Sequence, residues 1–166
     1  TGRIEFRDSR RAAEALFLVQ DRALNDIDTV LGDAGIEYLL IKGGANRYLL
    51  YDNPALRACY DLDILVRPEE RVPAAKALAR AGFLAEPEIK NISQQLVLSR
   101  DRVDIDLHYA LLREGRLRRD DVDEFIARRQ RVSSHWMMHP DDALFALLVH
   151  PAFAKHVSGW GMGLHR

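Results

Sequence analysis

With 166 residues, 48% of them apolar and 30% charged, the chain can bury one real core and has the composition of an ordinary globular protein. A net charge of -1 gives no general attraction to a nucleic acid backbone, so long nucleic acid is not an expected partner. The single cysteine, Cys59, excludes an internal disulfide framework and a cysteine-rich zinc site, and no apolar stretch reaches membrane-spanning length.

Residues 9–34 predict the first helix, with Ser9 as its cap and a helical stripe of Ala12, Ala15, Leu16, Val19, Ala23, Ile27, Val30 and Leu31. Gly35 suits the left-handed exit. Residues 36–41 are short, apolar and β-prone, giving the first core strand. Gly43-Gly44 then supplies a sharp turn, and residues 45–50 a short helix. Asp52, Asn53 and Pro54 mark residues 51–58 as a loop, and Cys59 just beyond it reads as a packing residue rather than a nucleophile.

Residues 60–66 alternate acids with aliphatics and predict the second strand. Pro68, Glu69 and Glu70 fit the first turn of the next helix, which runs to Gly82 with Pro73 as a source of distortion. Residues 92–98 and 102–107 predict an antiparallel pair joined around Ser99-Arg100-Asp101. Residues 120–129 and 141–156 predict two further helices. The arginines at 113, 116, 118 and 119 and at 128, 129 and 131 are separated by acids and read as solvated helix faces. No signal-peptide pattern opens the chain, so a cytoplasmic location is expected. The start at Thr1 and the glycine-rich tail suggest a fragment or a trimmed product.

Asp61 and Asp63 are two apart on one strand, so their side chains leave the same face. Hard oxygen ligands at that separation can bracket a divalent cation, although the same alternation also builds an ordinary half-exposed strand. Asp104, Asp106 and His108 share a face of the later strand. If the two strands are neighbours, Asp106, or else Asp104, brings a third carboxylate, and three such charges repel unless cations separate them. Asp106 is also a candidate base.

Sixteen residues separate Gly44 from Asp61. Backbone N–H groups at the glycine turn can approach phosphate, and a helix start adds positive potential. Lys42 and Arg57 are candidate phosphate contacts, each with a surface or structural role as its alternative. His108 either positions substrate, hydrogen-bonds to Asp106, or packs. Tyr109 either stacks on a base or belongs to the core. His139, His150, His156 and His165 are scattered, which argues against a joint metal site.

The ordered set Lys42-Gly43-Gly44-Ala45, Arg57, Asp61-Leu62-Asp63 and Asp106-Leu107-His108, followed by Leu147-Leu148-Val149-His150 and Lys155-His156, resembles the uncharacterised bacterial branch of the nucleotidyltransferase (polymerase beta-like) superfamily. It is similar also to aminoglycoside and lincosamide nucleotidyltransferases and to nucleotidyltransferase-like toxins of abortive-infection systems. The resemblance covers residues 36–156. Two departures stand out: the glycine-to-aspartate spacing is longer than in many members, and glycine replaces serine at 44.

The resemblance implies an α+β fold, a small mixed β-sheet flanked by helices with a C-terminal helical segment. The division falls into residues 1–112 as the core with its N-terminal helix and residues 113–166 as an incomplete helical segment. It implies two sites for Mg²⁺ or Mn²⁺, held by Asp61, Asp63 and Asp106, and an NTP whose triphosphate is bound by Gly43 and Gly44, with Lys42 and Arg57 as the candidate contacts beside them. The implied reaction moves a nucleoside monophosphate, as from ATP, to the hydroxyl of a small molecule or protein and releases pyrophosphate. Two other functions fit the same motifs: a nucleotide-binding sensor or antitoxin-like partner that transfers nothing, and a metal-dependent glycosyltransferase.

Overall fold

The computed structural model describes residues 2–85, 95–112 and 121–150, the side chains of 2–8 and 95 excepted. Helix α1 (Gly2–Asp33) is longer than expected and takes Ser9 into its interior rather than using it as a cap. Among its described side chains, those of the second half carry the core stripe. Leu24, Ile27 and Leu31 are fully buried, whereas Ala12, Ala15 and Val19 are exposed. The helix ends as glycine permits: Gly35 sits at φ +70° and the Ile36 N–H reaches back to the Leu31 carbonyl.

Strand β1 (Tyr38–Ile41) is buried at every position, because both faces of the sheet are covered there. Helix α2 (Lys42–Leu50) follows without a loop. A 3₁₀ turn (Pro54–Leu56), whose Ala55 N–H is capped by the Asn53 side chain, leads to β2 (Asp61–Val66). A second 3₁₀ turn (Pro68–Glu70) opens α3 (Arg71–Arg80). Because α3 starts at Arg71, Pro73 falls in its first turn, where a missing N–H breaks no bond. Gly82 leaves the helix at φ +89°.

The sheet continues through β3 (Leu84–Ala85), β4 (Gln95–Arg100) and β5 (Val103–His108). The β4–β5 turn is centred on Asp101 and Arg102, both at positive φ, one residue later than expected; residues 92–94 lie outside the described set. The C-terminal part supplies α4 (Val122–Ala127) and α5 (Pro140–His150), and the expected extension of α5 to 156 lies outside the described residues. Between them is a hairpin that the residue pattern does not announce, β6 (Gln130–Val132) and β7 (His135–Met137). Arg129 and Arg131 therefore do not line a helix face. They reach Glu37 at 2.5 Å and Asp28 at 2.6 Å, fastening the hairpin region to the chain around α1 and β1.

The seven strands run in the order β3-β4-β5-β2-β1-β7-β6. Strands β2 and β5 are parallel, as are β1 and β7, and the other neighbours are antiparallel. Leu40, Leu62, Ile64, Ile105 and Leu107 face α1 and α3 on one side. Leu39, Ile41 and Leu65 meet α4 and Met138 on the other. Alternation then dictates that Asp61, Asp63, Asp104 and Asp106 emerge on the α4/α5 side, next to that second apolar cluster. No helix among the described residues is long and apolar enough to cross a membrane.

Candidate active site

The two acidic runs lie side by side in register. Asp61 pairs with Asp104 and Asp63 with Asp106 across the parallel β2–β5 ladder, so four carboxylates form two rungs on one face. The rungs differ in depth. Asp61 and Asp104 are exposed, Asp106 is half-buried and Asp63 is buried at 4% exposure. Parallel pairing brings Asp106 beside the buried acid and leaves Asp104 on the outer rung.

Asp63 is charge-compensated from inside the protein. Its Oδ1 receives the Lys42 ammonium at 2.7 Å and stands 2.8 Å from His108 Nε2; Lys42 Nζ is 3.1 Å from the same ring nitrogen. Burial pushes the Asp63 carboxyl up, but the His108 hydrogen bond and the Lys42 charge outweigh it and hold the group below its ordinary range. Asp106 goes the other way. Burial and the neighbouring charges of Asp63 and Asp61 push it up. The ring of His108 thus bonds Asp63, a partner that the residue spacing alone does not distinguish from Asp106.

Lys42 makes the reversal between β1 and α2. Its φ of +50° is left-handed, a conformation that costs a non-glycine residue roughly 1–2 kcal/mol. The two glycines, expected as the sharp turn itself, lie instead in the first turn of α2, and their reason is space. A Cβ on Gly44 would stand 2.8 Å from Leu40 Cδ1, and one on Gly43 would stand 3.2 Å from Cys59 Sγ and 3.3 Å from Arg57 Nη1. The start of α2 is thereby packed closely on Leu40 of β1 and on the segment leading into β2, with its positive end beside the acids. Arg57 lies over this turn, donating from Nη1 to the Gly43 carbonyl at 3.3 Å.

The start of β2 is held from behind. The Gln20 side chain donates to the Cys59 carbonyl at 2.9 Å, and the Cys59 thiol donates to the Asp61 carbonyl at 2.9 Å. Burial pushes the thiol up, which suits a packed cysteine rather than a nucleophile. Tyr109 takes the Arg71 guanidinium over its ring at 4.7 Å.

The donor set fits a hard divalent cation. Ligand atoms of Asp63, Asp106 and His108 all lie within 4.8 Å of one another. Asp61 stands outside that group, yet its charge still raises Asp106. Asp61, Asp63, Asp104 and Asp106 gather carboxylates on one face, and carboxylate oxygens are the ligands that Mg²⁺ and Mn²⁺ take. A cavity of about 290 Å³ adjoins the start of α2. Lys42, Gly43, Asn46 and Arg57 line one side and Ala143 and Ala146 of α5 another.

The seven residues assigned from the sequence to metal and triphosphate thus fall in one region: Asp61, Asp63 and Asp106 on the strands, Lys42, Gly43 and Gly44 at the helix start, and Arg57 above it. His108 joins them as a member of the cation-sized cluster. Its place on the acidic face was readable from the spacing, whereas its link to Lys42 depends on strand register. His150 lines the cavity, and His156 and His165 lie outside the described residues.

Comparison with known proteins adds the family. A model described as uncharacterised nucleotidyltransferase matches residues 3–166. No curated protein matches the chain. Among solved structures, the chain is similar to the antibiotic-resistance factor ANT(2'')-Ia in solution, with a TM-score of 0.58 at 10% identity over 87% of this chain and 78% of that one. It is similar also to the crystal structure of ANT(2'')-Ia in complex with adenylyl-2''-tobramycin, with a TM-score of 0.59 at 10% identity over 86% of this chain and 82% of that one. At that identity the likeness is one of fold. The family match spans nearly the whole sequence and holds every residue of the acidic cluster, and on it the chain belongs to the uncharacterised nucleotidyltransferase family.

Proposed function

We propose that this nucleotidyltransferase moves a nucleoside monophosphate from an NTP to an acceptor hydroxyl, with Mg²⁺ or Mn²⁺ as cofactor and pyrophosphate as leaving group. The observation that carries the reading is the paired register of Asp63 with Asp106, set against the start of α2. Asp61, Asp63 and Asp106 are the residues that would hold metal. Bound metal would neutralise the triphosphate and lower the pKa of the attacking hydroxyl. The backbone of Gly43 and Gly44 offers N–H donors to the phosphates, and Arg57 is near enough to the same turn to add a charge-assisted contact.

Asp106 suits a base or ligand role because it is half-buried and its proton affinity is raised. The adjoining cavity is mostly apolar and shares Lys42, Gly43 and Arg57 with the helix start, which supports a ring of the nucleotide or a small acceptor there. The residues assigned here all precede residue 112, so the division expected there separates the metal and phosphate contacts from the segment left to shape the acceptor side. An ANT(2'')-Ia structure holds an adenylylated small molecule, and a small hydroxylated acceptor is the first class to test here.

The test is incubation with each α-labelled NTP and Mg²⁺ or Mn²⁺, with and without a panel of hydroxylated small molecules and with the protein itself as acceptor. Label transfer with stoichiometric pyrophosphate, absent in D61N/D63N, is expected. Tight NTP binding with no transfer to any acceptor would leave a nucleotide sensor, and release of nucleoside diphosphate from a sugar nucleotide would select glycosyl transfer.

A further inference from the structure

The ammonium of Lys42 shares one carboxylate oxygen, Asp63 Oδ1, with the imidazole of His108. The ring nitrogen cannot accept from Lys42 and donate to Asp63 with the same atom. Whichever tautomer His108 adopts, the Lys42–Asp63 contact stands. It is the fixed side of a triangle whose other two sides alternate.

That fixed side is secured by an unfavoured backbone. Lys42 holds a positive φ at a strand-to-helix junction where glycine would be at ease, and its side chain is bent back into the acids rather than out to solvent, at 27% exposure. Strained residues of this kind persist where the surroundings over-determine them and cluster at functional sites. The atoms that receive the ammonium belong to the group, with Asp106, that frames a cation-sized space. A second cation drawn to Asp63 meets the lysine already there, and two positive charges at such range repel strongly in a half-buried site.

We infer that Lys42 is a resident counter-ion: a divalent cation displaces its ammonium from Asp63, and the freed ammonium turns to the polyphosphate that accompanies the metal. The inference rests on the metal-and-nucleotide reading given above. It makes metal binding weak in the absence of nucleotide and strong in its presence, because the same lysine opposes the bare cation and favours the cation with its anion. A lysine that merely braced the fold would not move those two affinities in opposite directions.

The test compares the full chain with Lys42→Met, titrated with Mn²⁺ alone and with Mn²⁺ plus an ATP analogue carrying a methylene between the α and β phosphorus atoms. Free Mn²⁺ is read by its paramagnetic resonance signal. Lys42→Met is expected to bind Mn²⁺ alone about tenfold more tightly and Mn²⁺ with the analogue about tenfold more weakly, the size of one charge contact in a partly buried site. Mn²⁺ binding that is present but unchanged or weakened by the substitution overturns the inference and leaves the metal site standing. No Mn²⁺ binding to either protein overturns the metal reading and this inference with it.

A wild-type measurement guards against a variant that fails to fold. The chain has four lysines, Lys42, Lys76, Lys90 and Lys155, so reductive methylation can be followed at each by mass spectrometry. Mg²⁺ should speed modification of Lys42 severalfold while exposed Lys76 on α3 stays constant. Lys42 modified at the same rate or more slowly with Mg²⁺ overturns the exchange.

Discussion

Arg47 and Gln20 meet inside the protein: the Arg47 guanidinium, 1% exposed, donates from Nη1 to Gln20 Oε1 at 2.8 Å. Its Nε and Nη2 find no hydrogen-bond partner among the described residues, and the rings of Phe17 and Tyr48 lie 5.2 and 5.3 Å from the guanidinium carbon. Gln20 passes the connection to the Cys59 carbonyl, so a buried charge, a helix and the strand bearing Asp61 share one amide.

Removing that amide should cost more than removing the charge. Gln20→Ala leaves the guanidinium buried without its hydrogen bond, and a lost bond to a charged group is worth about 1.5–3 kcal/mol. Arg47→Met keeps an apolar stem between the rings and leaves only the neutral Gln20 oxygen unpaired, a cost of about 1 kcal/mol. Urea unfolding of both variants measures the order. Arg47→Met as the worse of the two would mean that the ring contacts, not the amide, hold the charge.

Asp61 and Asp63 should separate activity from stability. Asp61 is exposed, so Asp61→Asn is expected to leave the melting temperature nearly unchanged while label transfer from NTP falls at least about a hundredfold, the scale of one lost electrostatic contact to developing charge. Asp63→Asn should lose transfer to a similar degree and also destabilise the protein by about 2–4 kcal/mol, because Lys42 and His108 lose the buried charge they share. Thermal melts beside the transfer assay decide it. Equal melting temperatures for the two variants would contradict the internal pairing of Asp63.

How far the site was legible follows from these residues. Asp61, Asp63 and Asp106 announce themselves because strand alternation sets acids on one face and Leu62, Ile64 and Ile105 on the other. Their convergence needed only that the strands be neighbours and parallel. What Lys42 touches was not legible, since a left-handed backbone at a lysine has no sequence signal, and the glycines beside it read as the turn. The β6–β7 hairpin escaped for another reason. Each strand has three residues, too few to show a period, and Arg129 and Arg131 look like solvent-facing charges until Glu37 and Asp28 are placed opposite them. In α1 the apolar stripe runs past the part that packs, because periodicity marks a face and not how much of it is covered.

Gly44 should tolerate no side chain without consequence at the site. Alanine gains roughly 1 kcal/mol of helix propensity, but its methyl would press within 2.8 Å of Leu40 Cδ1, on a fully buried side chain. Overpacking of that kind costs about 1–3 kcal/mol, so Gly44→Ala is expected to be modestly destabilised. The larger effect should fall on nucleotide affinity, because the strain is relieved by lifting the start of α2 from Leu40 of β1. A calorimetric titration with the methylene analogue tests this, and unchanged affinity would show that the core yields instead.

The pH response of the metal-free protein should have separable arms. Burial holds His135 below its ordinary 6.5, against the pull of Asp21 at 3.5 Å. The unfolded chain then binds the extra proton first, so the contribution of His135 is complete above about pH 6.5 and is lost as pH falls through the depressed native value. Asp63 is likewise depressed, from 3.8, once the His108 and Lys42 contacts outweigh its burial, and its contribution is lost as pH falls below that range. Asp106, raised by burial and by Asp63, has the opposite sign: the native state holds its proton more tightly, and stability declines as pH climbs from 3.8 through the raised native value. Melting temperatures recorded from pH 3 to 8 should therefore drop below pH 6.5 in the wild type. His135→Phe, which keeps a ring against Tyr48, should flatten that drop and leave the behaviour below pH 4 intact, whereas Asp63→Asn should do the reverse. An undiminished fall below pH 6.5 in His135→Phe would assign the proton to another histidine.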